Sequence, residues 1–196
     1  MQPRWQDTER PIRSYLFGTP QAWARVVMDR ETDLYVRALD FRSLHALEIG
    51  GSKWATFDFA TYRSANLPEY DWCAGPLDER FDIILAEQVL EHVTNPRAAL
   101  QNANTMLKPG GVLLVTTPFL IRIHDYPIDC SRWTPLGLKH LLNECDFPNV
   151  ETGQWGNRRC IRANFSHWVR YVPWRHSLRN EPNFPIVVWA FARPST

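Results

Sequence analysis

Three features of the sequence predict an α/β fold with a mostly parallel sheet. Residues 81–86 are a short apolar run that stops at the polar pair Glu87-Gln88, as a buried strand does when it feeds a loop. Asn95-Pro96 then opens a helical stripe through Ala99, Leu100, Ala103, Met106 and Leu107, and Lys108-Pro109-Gly110-Gly111 closes it before a second apolar run at residues 112–117. Strand, crossover helix and parallel strand make a βαβ unit. The third feature is residues 45–52, an apolar strand carrying Glu48 near its end and breaking into Gly50, Gly51 and Ser52. Ligands of open α/β sheets bind outside the carboxyl ends of the strands, so function is expected where these runs stop.

The remaining elements follow in order. Residues 1–18 are polar and arginine-bearing, with Pro3 and Pro11, and are expected to form an arm. Thr19-Pro20 has the form of a cap followed by proline at the first helical position. Trp23, Val26, Val27, Leu34, Val36 and Leu39 come next on a loosely helical period, giving one long helix or two short ones on the sheet; the other reading makes this region a cover over a ligand site. Residues 54–58 are a candidate second strand, with a loop over residues 55–64 as the alternative, and residues 70–74 are the expected third strand. Thr134-Pro135 caps a further helix with Leu138, Leu141, Leu142 and Cys145 inward, and residues 149–155 and 185–193 read as the last two strands.

Totals narrow the classes. A chain of 196 residues is expected to close one core. A formal net charge of +1 argues against a dedicated nucleic-acid binder, and no apolar run approaches a membrane span. Cys73, Cys130, Cys145 and Cys160 are widely spaced without a CxxC pair, as reduced thiols of a cytoplasmic protein would be. Residues 1–30 lack the charged start and apolar core of a signal peptide. The arm and the aromatic-rich composition leave room for a homodimer.

Taken together and in order, Leu47-Glu48-Ile49-Gly50-Gly51, residues 81–93 and residues 107–118 resemble the successive motifs of class I S-adenosylmethionine-dependent methyltransferases, over roughly residues 44–147. The resemblance implies a Rossmann-like, mostly parallel seven-stranded sheet with an antiparallel last strand and helices on both faces. It divides one methyltransferase-like domain into an N-terminal arm and helix (1–43), a cofactor-binding core (44–147) and C-terminal strands with an Arg/Trp-rich insertion (148–196). It implies S-adenosylmethionine as cofactor, with Glu48, Gly50, Gly51 and Ser52 beside its methionine part and Glu87, Gln88 and Val89 at its amino or carboxylate end. Asp58 would be the ribose acid if residues 54–58 are the second strand. Cys73 and Ala74 occupy the adenine-side position, where the family often has Asp. Only about 30 residues separate Gly51 from Phe81, fewer than the family's usual helix, strand, helix and strand require.

The acceptor is expected beyond the fifth strand. His124, Asp125, Tyr126, Asp129 and Arg132 cluster in an H-x-x-P-x-D-x-x-R-x-T arrangement that resembles small-molecule members of the family. A neutral imidazole accepts a proton near pH 7, so His124 is the first candidate base, with Asp125 or Asp129 to orient it and Tyr126 as a weaker candidate. The plainer reading is a turn in which Asp129 and Arg132 pair. No metal is expected, because His124, Asp125 and Asp129 lack a further ligand at suitable spacing. Residues 152–180 contain no acid but hold Arg158, Arg159, Arg162, Arg170, Arg175 and Arg179, interleaved with Trp155, Trp168, Tyr171 and Trp174. Arginine forks bind anions and aromatic faces stack on rings, so Trp155, Arg158 and Arg159 are candidates for holding a small anionic substrate; a solvated face is the plainer alternative. O-methylation of a small, anionic metabolite follows as the functional expectation. Its rivals are a non-catalytic scaffold on a decayed methyltransferase fold and an RNA or DNA methyltransferase.

Overall fold

The computed structural model describes residues 21–125 and 127–195; the expected arm, the Thr19-Pro20 cap and Tyr126 lie outside them. A six-stranded sheet runs in the order β2-β1-β3-β4-β6-β5. Its strands are β1 (His45–Ile49), β2 (Thr61–Ala65), β3 (Phe81–Glu87), β4 (Leu107–Pro118), β5 (Asn149–Trp155) and β6 (Val187–Arg193). β2, β1, β3 and β4 are mutually parallel, and β6 runs antiparallel to both β4 and β5. The helices are α1 (Val26–Ala38), α2 (Pro96–Met106), α3 (Pro135–Asn143) and α4 (Arg158–Ala163). This is the Rossmann-like architecture expected from the sequence.

Period-2 alternation divides β3 between two cores. Ile84 and Ala86 face a cluster with Ala99, Leu100, Ala103 and Met106 of α2 and Leu138, Leu141 and Leu142 of α3. Ile83 and Leu85 face the opposite cluster, with Val36 of α1 and Trp54. Both faces are therefore covered, as a parallel sheet requires. Asn95 caps α2 by accepting the Ala98 N–H at 3.2 Å, and Thr134 caps α3 by accepting the Gly137 N–H at 3.0 Å. In α1 the predicted stripe holds at Val27 and Val36, whereas Leu34 points to solvent and Thr32 is buried, donating its hydroxyl to the Met28 carbonyl.

Three differences from the sequence reading have local causes. Residues 54–58 are not the second strand. The Glu48 carboxylate accepts the N–H groups of Lys53 and Trp54, both at 2.9 Å, and curls Lys53–Thr56 into a 3₁₀ turn. Trp54 is thereby buried under β1 and β3, and the strand forms later, pairing Thr61 with His45 through Ala65 with Ile49. Residues 70–74 form turns and make no ladder, so the sheet ends at β2 and has six described strands rather than seven. Trp72 is tucked into the core instead, and the Tyr70 hydroxyl donates to the Gly75 carbonyl. Finally, Lys108-Pro109-Gly110-Gly111 lies within β4, whose ladder starts at Leu107 opposite Phe81 and shifts register before Val112 meets Ile83.

Residues beyond β5 close one end of the sheet. The Trp23 N–H donates to the Val169 carbonyl, the Tyr171 N–H donates to the Gln21 carbonyl, and Trp23 stacks on His176 with 4.1 Å between ring centroids. Trp23, Val27 and Met28 thus share an apolar cluster with Trp155, Ile161, Ile186, Val187 and Trp189. The N-terminal region and the Arg/Trp-rich insertion form one wall over the carboxyl end of β4 and the amino end of β6.

Candidate active site

Two cavities open side by side at the carboxyl ends of the strands. One, of about 430 Å³, is lined by Ala22, Ala24, Arg25, Pro118, Ile121 and Trp168 around the polar group Gln88, Glu91, His92 and His124. The other, of about 460 Å³, lies over β1, β2 and β3 and is lined by Ile49, Gly50, Asn66, Leu67, Asp71, Trp72, Cys73 and Val89, among others. Gln88 and His92 border both.

The wall between them is made by the chain leaving β3. Gln88 has φ +54°, a left-handed conformation that a side chain disfavours. Three contacts with Thr116 hold it there: its N–H reaches the Thr116 carbonyl at 3.0 Å and Oγ1 at 3.1 Å, and its amide Nε2 reaches Oγ1 at 3.1 Å. Val89 then packs against Gly50, which has φ +75° and where a Cβ would lie 2.4 Å from Val89 Cγ2. Glycine is required on both counts.

Of the residues assigned to the cofactor from the sequence, Gly50, Cys73, Gln88 and Val89 line the 460 Å³ cavity. Glu48 does not line it; its buried carboxylate is occupied by the Lys53 and Trp54 N–H groups and by the Tyr62 hydroxyl at 2.6 Å. Gly51 sits against that carboxylate, a Cβ there lying 2.7 Å from Glu48 Oε1. Ser52 and Ala74 are exposed. Asp58 is exposed on the loop before β2, away from the strand end where a ribose acid would stand; Ala65 and Asn66 hold that place. The Glu87 carboxylate is clamped at 2.8 Å by both Arg25 and Lys53, yet burial still pushes its proton affinity up against those two cations.

On the acceptor side, His124 lines the 430 Å³ cavity. Its Nδ1 lies 3.2 Å from Asp129 Oδ2 and its Nε2 lies 3.7 Å from Glu91 Oε1. Arg132 pairs with Asp129, holding that carboxyl down at about 2, and Asp129 also accepts the His124 backbone N–H at 2.9 Å. Burial lowers the His124 imidazole's proton affinity even against the Asp129 charge, so the ring is neutral near pH 7. The predicted Asp129–Arg132 pair and the predicted imidazole therefore form one unit. Asp125 is exposed, and the Tyr126 assignment lies outside the described residues.

Trp155, Arg158 and Arg159 line neither cavity. Trp155 is buried with its indole N–H on the Leu178 carbonyl, Arg158 pairs with Glu181 at 2.8 Å, and Arg159 is exposed. A charge run in sequence cannot tell which faces its members take, and these face away. Sequence reasoning missed Glu91 and His92, which it took only as part of a family motif. Their signal was an acid–imidazole pair just past a strand's carboxyl end. Glu91 is fully buried, neither carboxylate oxygen has a hydrogen-bond partner among the described residues, and burial lifts its carboxyl to about 7.

Comparison with known proteins agrees with this geometry. Residues 19–157 match the model of a family described as a methyltransferase domain. A ubiquinone biosynthesis O-methyltransferase of Histophilus somni is 26% identical over 160 residues, covering 68% of this chain and 64% of the relative. Another bearing that name, from Parvibaculum lavamentivorans, is 46% identical over 80 residues, covering 38% of this chain and 32% of the relative. The chain thus spans less than two thirds of these relatives. Among solved structures, an S-adenosylmethionine-dependent methyltransferase from Mesorhizobium loti has a TM-score of 0.55 at 15% identity, covering 82% of this chain and 96% of that one. One from Archaeoglobus fulgidus has a TM-score of 0.56 at 12% identity, covering 95% and 100%.

Proposed function

This chain belongs to the class I S-adenosylmethionine-dependent methyltransferase family, and we propose that it is an enzyme that methylates a hydroxyl oxygen of a small molecule. One observation carries the reading: two cavities at the carboxyl edge of the sheet meet at Gln88 and His92, so a donor in one and an acceptor in the other adjoin. The names of the relatives support oxygen as the methylated atom.

The 460 Å³ cavity fits the cofactor. Trp72 lines it, and its buried indole N–H finds no acceptor among the described residues, which leaves a donor for a bound ligand. Asn66 and Asp71 offer polar atoms beside the apolar walls of Ile49, Leu67 and Val89. When bound, the cofactor's sulfonium supplies the methyl group: the acceptor oxygen gains the carbon, the carbon–sulfur pair stays on sulfur, and the hydroxyl proton leaves. What the protein contributes is placement, which can supply on the order of 7–11 kcal/mol of the barrier. In the site as built from protein atoms alone, His124 takes the proton through Nε2 while Asp129 holds Nδ1, a contribution of about 10²–10⁴-fold.

The polar wall of the acceptor cavity is Glu91 beside two imidazoles, and among the described residues its one arginine, Arg25, is already paired with Glu87. We therefore take the acceptor to be a neutral hydroxyl compound with an apolar body, in place of the anionic metabolite suggested by the arginine run. The test is incubation with methyl-labelled S-adenosylmethionine and a panel of catechols, phenols and polyols. Label in an ether product is expected; tight binding of S-adenosylhomocysteine with no label transferred to any acceptor would favour the scaffold reading.

A further inference from the structure

We propose that Glu91, His92 and His124 form a binding site for a divalent first-row transition-metal cation, open on its remaining side to the acceptor cavity. These three are the one group of metal-capable side chains found together among the described residues, with ligand atoms all within 4.8 Å of one another. Glu91 Oε1 lies 3.6 Å from His92 Nε2 and 3.7 Å from His124 Nε2. Ligands about 2.0–2.2 Å from a tetrahedral ion stand roughly 3.3–3.6 Å apart, so a small inward adjustment would close the site.

The hydrogen bonds on the outer sides of the two rings decide what faces the centre. His92 Nδ1 is hydrogen-bonded to the Ile128 carbonyl, an acceptor only, so Nδ1 carries the proton and Nε2 presents a lone pair. His124 Nδ1 lies 3.2 Å from the Asp129 carboxylate, which fixes the same tautomer; the contact of Arg132 Nη2 to that nitrogen, at 3.5 Å, is at the limit of a hydrogen bond. Two imidazole lone pairs and, with Glu91 ionised, a carboxylate oxygen then converge with no donor between them. Glu91 is fully buried, and both its oxygens lack a hydrogen-bond partner among the described residues. A buried carboxylate without a partner is costly, and a cation supplies the partner for all three groups at once. Carbonyl–imidazole and carboxylate–imidazole pairs behind the ligands are also what orients metal-binding histidines.

Two imidazoles and one carboxylate suit Zn²⁺, Mn²⁺, Fe²⁺ or Co²⁺ better than Ca²⁺. The site replaces the combination weighed from sequence: Asp125 is exposed, and Asp129 stands on the outer side of the His124 ring as a positioning residue. This inference rests on the proposed seating of the acceptor in this cavity. In the loaded protein the cation would meet the acceptor oxygen and lower the affinity of its proton, which would then leave to solvent, and His124 would act as a ligand rather than as the base.

The test is titration of the metal-free full chain with CoCl₂, followed by calorimetry and visible absorption, with S-adenosylhomocysteine titrated into the same samples. One Co²⁺ per chain is expected, lost in Glu91→Gln and His92→Ala and weakened about 10–100-fold in Asp129→Asn. Far-ultraviolet circular dichroism checks each fold, and His92→Ala, altering a half-buried side chain, decides the matter if Glu91→Gln does not fold. No saturable Co²⁺ binding, or equal binding by His92→Ala, overturns the proposal. S-adenosylhomocysteine binding without a Co²⁺ site sinks the metal inference alone; absence of S-adenosylhomocysteine binding would sink the methyltransferase reading instead.

Discussion

Single residues carry the site's tightest constraints. At Gly50, a positive φ and the 2.4 Å approach of a would-be Cβ to Val89 act together. Gly50→Ala is expected to lose about 2–4 kcal/mol of stability and to weaken S-adenosylhomocysteine binding. Val89→Ala in the same chain should recover part of both, and a double-mutant cycle without coupling would refute the contact. The motif places Glu48 beside the ligand, but from β1 it acts on the protein itself, receiving two donors from the 3₁₀ turn and one from β2. Glu48→Ala strands those donors and should cost about 3 kcal/mol or more, lowering Tm by roughly 6–12 °C. A Tm within a degree of the parent would contradict that role. What a motif cannot express is where its acid's oxygens turn, because the answer depends on Tyr62, 14 positions along the chain.

Among the elements, β3 ties the sheet together at both ends. At its carboxyl end it turns through Gln88 into the wall between the cavities. At its start, Asp82 accepts the His45 N–H of β1 at 2.8 Å and the Lys108 ammonium of β4 at 2.8 Å. Burial works to raise the Asp82 carboxyl, but the Lys108 and His45 contacts outweigh it and hold the group below its ordinary range. A depressed carboxylate stabilises the fold above its unfolded value, near 4, and that stability is lost as pH falls through the folded value. Asp82→Asn should therefore lower Tm at pH 6, with the gap to the parent closing as the pH falls beneath the unfolded value and through the lower folded one; a gap that persists in strong acid would contradict the ion pair. The βαβ unit around β3 was legible because the Asn95-Pro96 cap and the apolar periods of strand and helix agree locally. The segment between β1 and β3 was not. Residues 54–58 and 70–74 have strand-like composition, but buried tryptophans win there: Trp54 drops under β1 and β3, and Trp72 packs beside the second cavity. Propensity over five residues does not register such long-range burial.

At the scale of the whole molecule, the N-terminal region and the Arg/Trp-rich insertion build one cavity while β1, β2 and β3 build the other, so the two should be separable by mutation. Ile121→Trp, on the wall of the 430 Å³ cavity, is expected to abolish methyl incorporation while leaving S-adenosylhomocysteine affinity within about two-fold of the parent, under 0.5 kcal/mol. Equal loss of both would mean that the cavities do not divide the work. The insertion's part in this wall was hidden in the sequence, where its arginines looked like the working groups. In the folded chain Trp168 faces the cavity, while Arg158 and Arg159 do not line it. Everything proposed for the acceptor side depends on the donor side being real, and calorimetric titration of the full chain with S-adenosylhomocysteine tests that most directly. The account predicts saturable binding at one site per chain with Kd below about 0.1 mM, equivalent to roughly −5.5 kcal/mol or stronger, and abolished in Gly50→Val. Absence of any saturable heat up to millimolar ligand would contradict it.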